Sequence, residues 1–330
     1  MKHPAFCRLL PLAAAALLLF SLGCGSPAAQ QKATPASDAA ATETEPDASA
    51  AADYSSLFSV EEATTESASE SYATDEPDEN AVLVQSAGVL TMTGADINKL
   101  GDAEGDPTGG RNAAVAVLGG GQLTLLRSNI TTNALGAFGI YLSGEGSTAT
   151  AEESYLSTAG NESPALVAED GGVLTYIGGT LATEGTDSPC VLLNGGRVLL
   201  RGVTLSSAGA EQLRILGGEN ELTLDQTTIA SMSLPADGST LTLTLLNGAS
   251  FTGEFGGVLP AMARVSLDAS STLTLTAETY LSAFVNADTT HANIQSNGFN
   301  LYYDSGIEEN AYLGGQSYVL PSGGFLAPII

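Results

Sequence analysis

Three columns of apolar residues recur along this chain with an unchanging internal offset, and that periodicity constrains the fold more than any other feature. Leu90, Leu123, Ala149, Leu174, Val198 and Leu222 form the first column. Met92, Leu125, Ala151, Tyr176, Leu200 and Leu224 form the second, two residues on. Ile97, Ile130, Leu156, Leu181, Leu205 and Ile229 form the third, seven residues after the first in all six copies. Successive copies are separated by 33, 26, 25, 24 and 24 residues. Within most copies apolar and polar residues alternate, which is the period of a strand. A repeat of about 24 residues suits one coil of three short strands and three turns.

Another apolar strand precedes the columns in each copy: Val82-Leu83-Val84, Val115-Ala116-Val117, Ile140-Tyr141-Leu142, Leu166-Val167-Ala168, Val191-Leu192-Leu193 and Leu213-Arg214-Ile215. The intervening turns are often glycine-rich, as at Gly119-Gly120-Gly121, Gly171-Gly172, Gly195-Gly196 and Gly217-Gly218, and glycine supplies the left-handed geometry of sharp corners. The residue after the first column reads Thr91, Thr124, Thr150, Thr175, Leu199 and Thr223. In a stacked coil these would lie about 4.8 Å apart on the outer face. Arg201 and Asp225 would share a column, as would Arg127 and Glu153. A leucine-rich repeat would need a Leu-x-x-Leu-x-Leu frame leading to Asn or Cys, which does not recur, and a β-sandwich would not need constant spacing. The expectation is an all-β chain: a right-handed parallel β-helix over 80–279, handed by the general crossover preference. Further strands and an aromatic-rich C-terminal cap follow over 280–330.

The flanks read differently. Lys2 and Arg8 precede an uncharged apolar run from Leu9 to Leu22, shorter than the roughly 20 residues of a membrane-spanning helix, so residues 1–23 read as a secretion signal. The stretch Phe20-Ser21-Leu22-Gly23-Cys24 resembles the bacterial lipobox, with Ser21 where leucine is commoner. That resemblance implies a lipid-bearing Cys24 as mature N-terminus and placement on the extracellular face of the cell membrane, with membrane contact through that lipid only. Residues 26–79 hold thirteen acids against one base, Lys32, and few large apolar residues. Such composition does not offset chain entropy, so 24–79 is expected to be a disordered acidic tether.

Over 80–330 the chain carries 24 acids and 7 bases, which argues against nucleic acid as a partner. Cys190, in an apolar run, reads as a small buried hydrophobe. No cofactor is implied. Arg197, Arg201 and Arg214 form the only basic cluster in sequence; with no histidine or lysine beside them, ion pairing suits them better than proton abstraction. Asp102, Glu104 and Asp106, at alternate positions in the insertion behind the 33-residue spacing, read either as calcium ligands or as a solvated acidic loop. For sugar stacking the repeats offer Phe138, Tyr141, Tyr155 and Tyr176. Tyr176 belongs to an inward column, and Tyr155, outside the three columns, is the better candidate.

The phrases Asn80-Ala81-Val82-Leu83-Val84, Asn112-Ala113-Ala114-Val115, Asp187-Ser188-Pro189-Cys190 and Gly298-Phe299-Asn300-Leu301-Tyr302-Tyr303-Asp304 resemble the β-helical, adhesin-like surface lipoproteins of gut Firmicutes, over roughly residues 70–330. The resemblance implies a right-handed β-helix displayed outside the cell, with no established enzymatic activity. The expected function is therefore non-enzymatic binding of a glycan or a surface protein. A polysaccharide lyase or hydrolase and a ligand-free spacer are the alternatives.

Overall fold

The computed structural model describes residues 54–233, 238–255 and 263–329. The chain is all-β, with parallel strands stacked as a β-solenoid of about 11 turns. The first face contains the strands Ser55–Glu61, Glu79–Gln85, Val115–Leu118, Ile140–Ser143, Leu166–Glu169, Val191–Asn194 and Leu213–Gly217. The second face is a ten-stranded sheet running from Thr64–Ala68 to Ala283–Asn286, and the third runs from Ser71–Thr74 to Thr204–Ser207.

The expected register is the observed one, except that the third column ends before Ile229. Leu90 pairs with Leu123, Leu123 with Ala149, Ala149 with Leu174, Leu174 with Val198 and Val198 with Leu222. The column continues through Leu243, Val265 and Phe284. These side chains point inward and are buried, as is the second column. Each fully buried Leu contributes about 1.5–3 kcal/mol, and only if a neighbouring coil covers it. The third column runs unbroken from Ile97 to Leu205. Ile229 instead pairs with Phe251, in a four-stranded sheet that forms a separate face beyond that point.

Corners repeat as regularly as strands. At the second corner a left-handed residue recurs as Ser69, Gly94, Arg127, Glu153, Gly178, Gly202, Gln226 and Asn247. Arg127 and Glu153 stack there as expected, both at φ 47°. Behind them buried hydroxyls bridge coils: Ser128 Oγ accepts the Ala95 N–H at 3.1 Å, and Ser154 Oγ accepts the Ser128 N–H at 3.1 Å. Ser163 and Ser188 do the same at the third corner, accepting the N–H groups of Ala137 and Ser163. Side-chain acceptors thus satisfy corner amides that no ladder reaches.

Two expectations are corrected. The solenoid begins at Ser55, a full coil before residue 80, with strands at Ser55–Glu61, Thr64–Ala68 and Ser71–Thr74. Its inward positions include Phe58, Val60 and Tyr72, with the Phe58 and Tyr72 rings 5.0 Å apart. Its outer positions are acidic, so the composition of a terminal coil imitates that of a tether. The signal segment 1–23, Cys24 and the tether as far as residue 53 lie outside the described residues.

The first face also differs from a simple solenoid wall. Its outward residues Leu83, Ala116, Tyr141 and Val167 are buried, forming with Ala113 and Phe138 a second apolar cluster outside the coil. The insertion contributes to this cover: Gly110 lies so close to the Tyr141 ring that a Cβ there would overlap it, and Tyr54 donates to Gly109 O. Phe138 and Tyr141 are therefore core residues rather than sugar platforms.

The C-terminal cap has a defined chemistry. Among the described residues, the last strand of the ten-stranded sheet, Ala283–Asn286, has no further strand beside it; instead the 3-10 helix Glu308–Leu313 packs there. Asn310 Oδ1 accepts the Phe284 N–H at 2.8 Å, and its Nδ2 donates to Ser282 O at 2.8 Å and Asp304 O at 2.7 Å. The Tyr312 hydroxyl donates to Phe284 O at 3.1 Å and accepts the Asn286 N–H at 3.2 Å. Two side chains thereby replace the backbone of a missing strand.

Candidate functional site

A cleft of about 790 Å³ follows the corner between the first and second faces across successive coils. The turns contribute Glu145, Asp170 and Gly195, and the start of the strand Glu219–Asp225 contributes Glu219. The first outward position of the second face contributes Arg197, Glu221, Thr242 and Arg264, which are register partners in that order. Ser282, Asp304 and Ile329 close the C-terminal end.

The local sequence explains why the cleft forms here. The corner shortens to Asn194-Gly195-Gly196 and Gly217-Gly218, where the register between strands shifts at Leu193/Asn194. Gly218 sits at φ +68°, and a Cβ there would meet Gly195 Cα at 2.6 Å, so the two backbones stack without side chains. Buried Asn220 fixes that floor: its Oδ1 accepts the Gly195 N–H at 2.8 Å, and its Nδ2 donates to Gly217 O, Gly218 O and Thr240 O at 2.8, 3.0 and 2.9 Å.

The lining is acidic and rich in hydroxyls. Both arginines are paired, Arg197 with Glu221 at 3.3 Å and Arg264 with Glu309. Exposed pairs of this kind contribute only about 0–1 kcal/mol, yet they offset the two cations that line the cleft among the described residues. Thr240, Thr242 and Ser282 present hydroxyls, while Leu281, Ile307 and Ile329 add an apolar patch at one end. Among the described residues, no aromatic side chain, histidine, lysine or cysteine lines it.

The arginines close in sequence do not form one cluster. Arg197 lines the cleft. Arg201, four residues along the same strand, pairs with Asp225 at 2.7 Å, as the shared column required. Arg214, on the outward side of the first face, pairs with Glu211 and, at 3.3 Å, with Asp187. Glu211, Asp187 and their own hydrogen bonds keep the Arg214 guanidinium charged. Each arginine thus has its own carboxylate, the ion-pair role expected of it.

Tyr155 lies on the third face, away from the cleft lining, between register partners Asn129 and Thr180, and is 45% exposed. Tyr176 is core, its hydroxyl donating to Ser154 O at 2.8 Å. In the insertion, Asp102 Oδ1 accepts the Leu135 N–H at 2.8 Å, and Asp106 Oδ1 accepts the Thr108 N–H at 3.0 Å within its own turn. The Glu104 N–H donates to Asp78 Oδ1 at 3.3 Å. Among the described residues, no group of three or more His, Cys, Asp or Glu side chains is placed to hold a metal ion. The geometry accounts for the insertion by packing against the first face. Cys190 is buried, and burial pushes its thiol up to about 11. The cleft itself escaped the sequence reading. Its one sequence signal is the shortening of the corner to paired glycines over consecutive coils.

The fold and cleft define a parallel β-solenoid with a corner groove. No family model matches the chain, and no curated protein matches it.

Proposed function

We propose that the protein is a non-enzymatic surface binding protein, adhesin-like in use, whose solenoid is displayed on a tether held by lipid at Cys24. The observation that supports this reading most is the cleft, a continuous groove whose polar contacts recur once per coil. A polymer lying along the axis would meet a polar side chain of the second face about every 4.8 Å, and many weak contacts add up to useful avidity. The acidic lining and the paired arginines favour a neutral, hydroxyl-rich ligand such as an uncharged glycan over a uronate polymer. An array of neutral and acidic glycans probed with the full chain tests this. Binding confined to neutral glycans and weakened by Thr242→Lys supports it, and binding confined to uronates sinks it.

The carboxylates of Glu219 and Glu221 in one cleft favour a second reading, a hydrolase working with two acids. New reducing ends released from a bound glycan, and lost in Glu219→Gln, would establish that reading in place of the first. Lipid attachment is tested by labelled palmitate, whose incorporation should disappear in Cys24→Ser.

A further inference from the structure

The two ends of the solenoid are built in opposite ways. At the C-terminal end Asn310 and Tyr312 occupy the hydrogen-bonding groups of the last strand of the ten-stranded sheet. At the N-terminal end, among the described residues, no strand pairs with the outer edges of Ser55–Glu61, Thr64–Ala68 or Ser71–Thr74.

The pairing pattern shows which groups face outward. The Val89 N–H donates to Ala63 O at 2.7 Å, and the Ser69 N–H to Thr93 O at 2.8 Å. In a parallel pair alternate residues of one strand bond the neighbour with both N–H and C=O. Positions 63, 65, 67 and 69 therefore pair inward, and Thr64, Glu66 and Ala68 aim their N–H and C=O groups at the open edge. The same alternation, fixed by the Glu62 N–H bond to Ser86 O, aims the groups of Leu57, Ser59 and Glu61 outward. All six of these residues are exposed, Leu57 at 51%.

This edge carries one sign of charge. Residues 54–79 hold eight acids and no base, and Glu61, Glu62, Glu66 and Glu70 are all exposed. A second copy docked edge to edge would bring these carboxylates against their own kind, and like charges directly opposite each other destabilise a strand pair. A strand bearing Lys or Arg would gain both the open ladder and the opposite charge.

We propose that the first coil is a docking edge for an extended, basic polypeptide segment of another protein, which adds to the solenoid as one further strand. The specificity is backbone pairing along Thr64–Ala68, with cationic side chains meeting the glutamates.

Hydrogen exchange on the full chain tests this, with a peptide of about seven residues alternating Lys and Val as probe. A Lys-Pro peptide of equal charge, which offers no backbone donors at the proline positions, is the comparison. The expected result is roughly tenfold or greater slowing of exchange at the outward amides of Thr64, Glu66 and Ala68 with the Lys-Val peptide alone. Glu66→Pro, which removes an outward N–H without touching the inward ladder, should abolish the slowing, and Glu66→Gln should weaken it. Equal effects from both peptides, or unchanged binding by Glu66→Pro, would reduce the edge to a patch of negative charge and overturn the proposal. So would amides already protected without peptide, meaning that the chain's own residues cover the edge. Dimerisation of the wild-type chain through this coil in sedimentation would assign the edge to a second copy instead.

Discussion

Replacing Asn310 by leucine keeps the size of the side chain and removes its hydrogen-bonding amide. Three bonds are lost: the acceptor for the Phe284 N–H and the donors to Ser282 O and Asp304 O. Asn310 is 1% exposed and Phe284 is fully buried, so no water replaces them readily. Three net hydrogen bonds at about 1 kcal/mol each give roughly 3 kcal/mol, and the orphaned Phe284 N–H adds to that. In a solenoid each coil is held by its neighbours alone, so the loss should appear as local undocking of Glu308–Leu313 and not as uniform weakening. A 3 kcal/mol change in local opening raises exchange about a hundredfold. Hydrogen exchange should accelerate by that order at 283–286 and 308–313 while the coils from 79 to 225 stay as protected as before. The uncovered strand should then pair with other molecules, giving assembly that grows with protein concentration. Unchanged exchange at 283–286, or acceleration spread evenly along the rod, would refute the view that Asn310 replaces a strand.

Gly218→Ala and Gly202→Ala separate two glycine roles. Both positions have positive φ, but a Cβ at 218 would meet Gly195 Cα at 2.6 Å, whereas at 202 nothing lies within 4 Å. Urea unfolding should show about 1 kcal/mol lost at 202 and distinctly more at 218. His291 is 3% exposed beside the Tyr318 and Phe284 rings, and burial lowers its affinity for a proton despite Asp288. Its folded value lies below the ordinary 6.5, so the unfolded chain binds the proton more readily. Stability is therefore whole above the ordinary 6.5 and falls as the pH drops from there through the folded value. The cap's urea midpoint should drop between pH 7.5 and 5.5, and His291→Phe should remove most of that drop. The Cys190 thiol, buried and pushed up to about 11, should stay unreactive toward a disulfide reagent at pH 8 until the chain is denatured. Rapid labelling of the native protein would show that the solenoid opens there.

The periodic sequence alone determined the coil. Register is a local property repeated: Leu90 to Leu222 occupy one column because apolar residues every 24 to 33 positions can be buried together in only one stacking, and a slip would turn them to solvent. It also foretold the Arg201–Asp225 pair and the burial of Cys190 and Tyr176. Tertiary structure decided whatever depends on a neighbour that the repeat does not specify. The first coil was hidden because an end coil buries one side only, and Glu61, Glu62, Glu66 and Glu70 gave it the composition of a tether. The outward burial of Leu83 and Tyr141 depends on an insertion folding back, although the unbroken apolar runs of the first face hinted at a second cover. Arg197 and Arg214, near in sequence, were parted by a coil geometry that turns them to different faces. The cleft arose where two glycine backbones, 23 residues apart in the chain, came to lie one on the other. Contacts of that kind belong to the stack, and no single coil contains them.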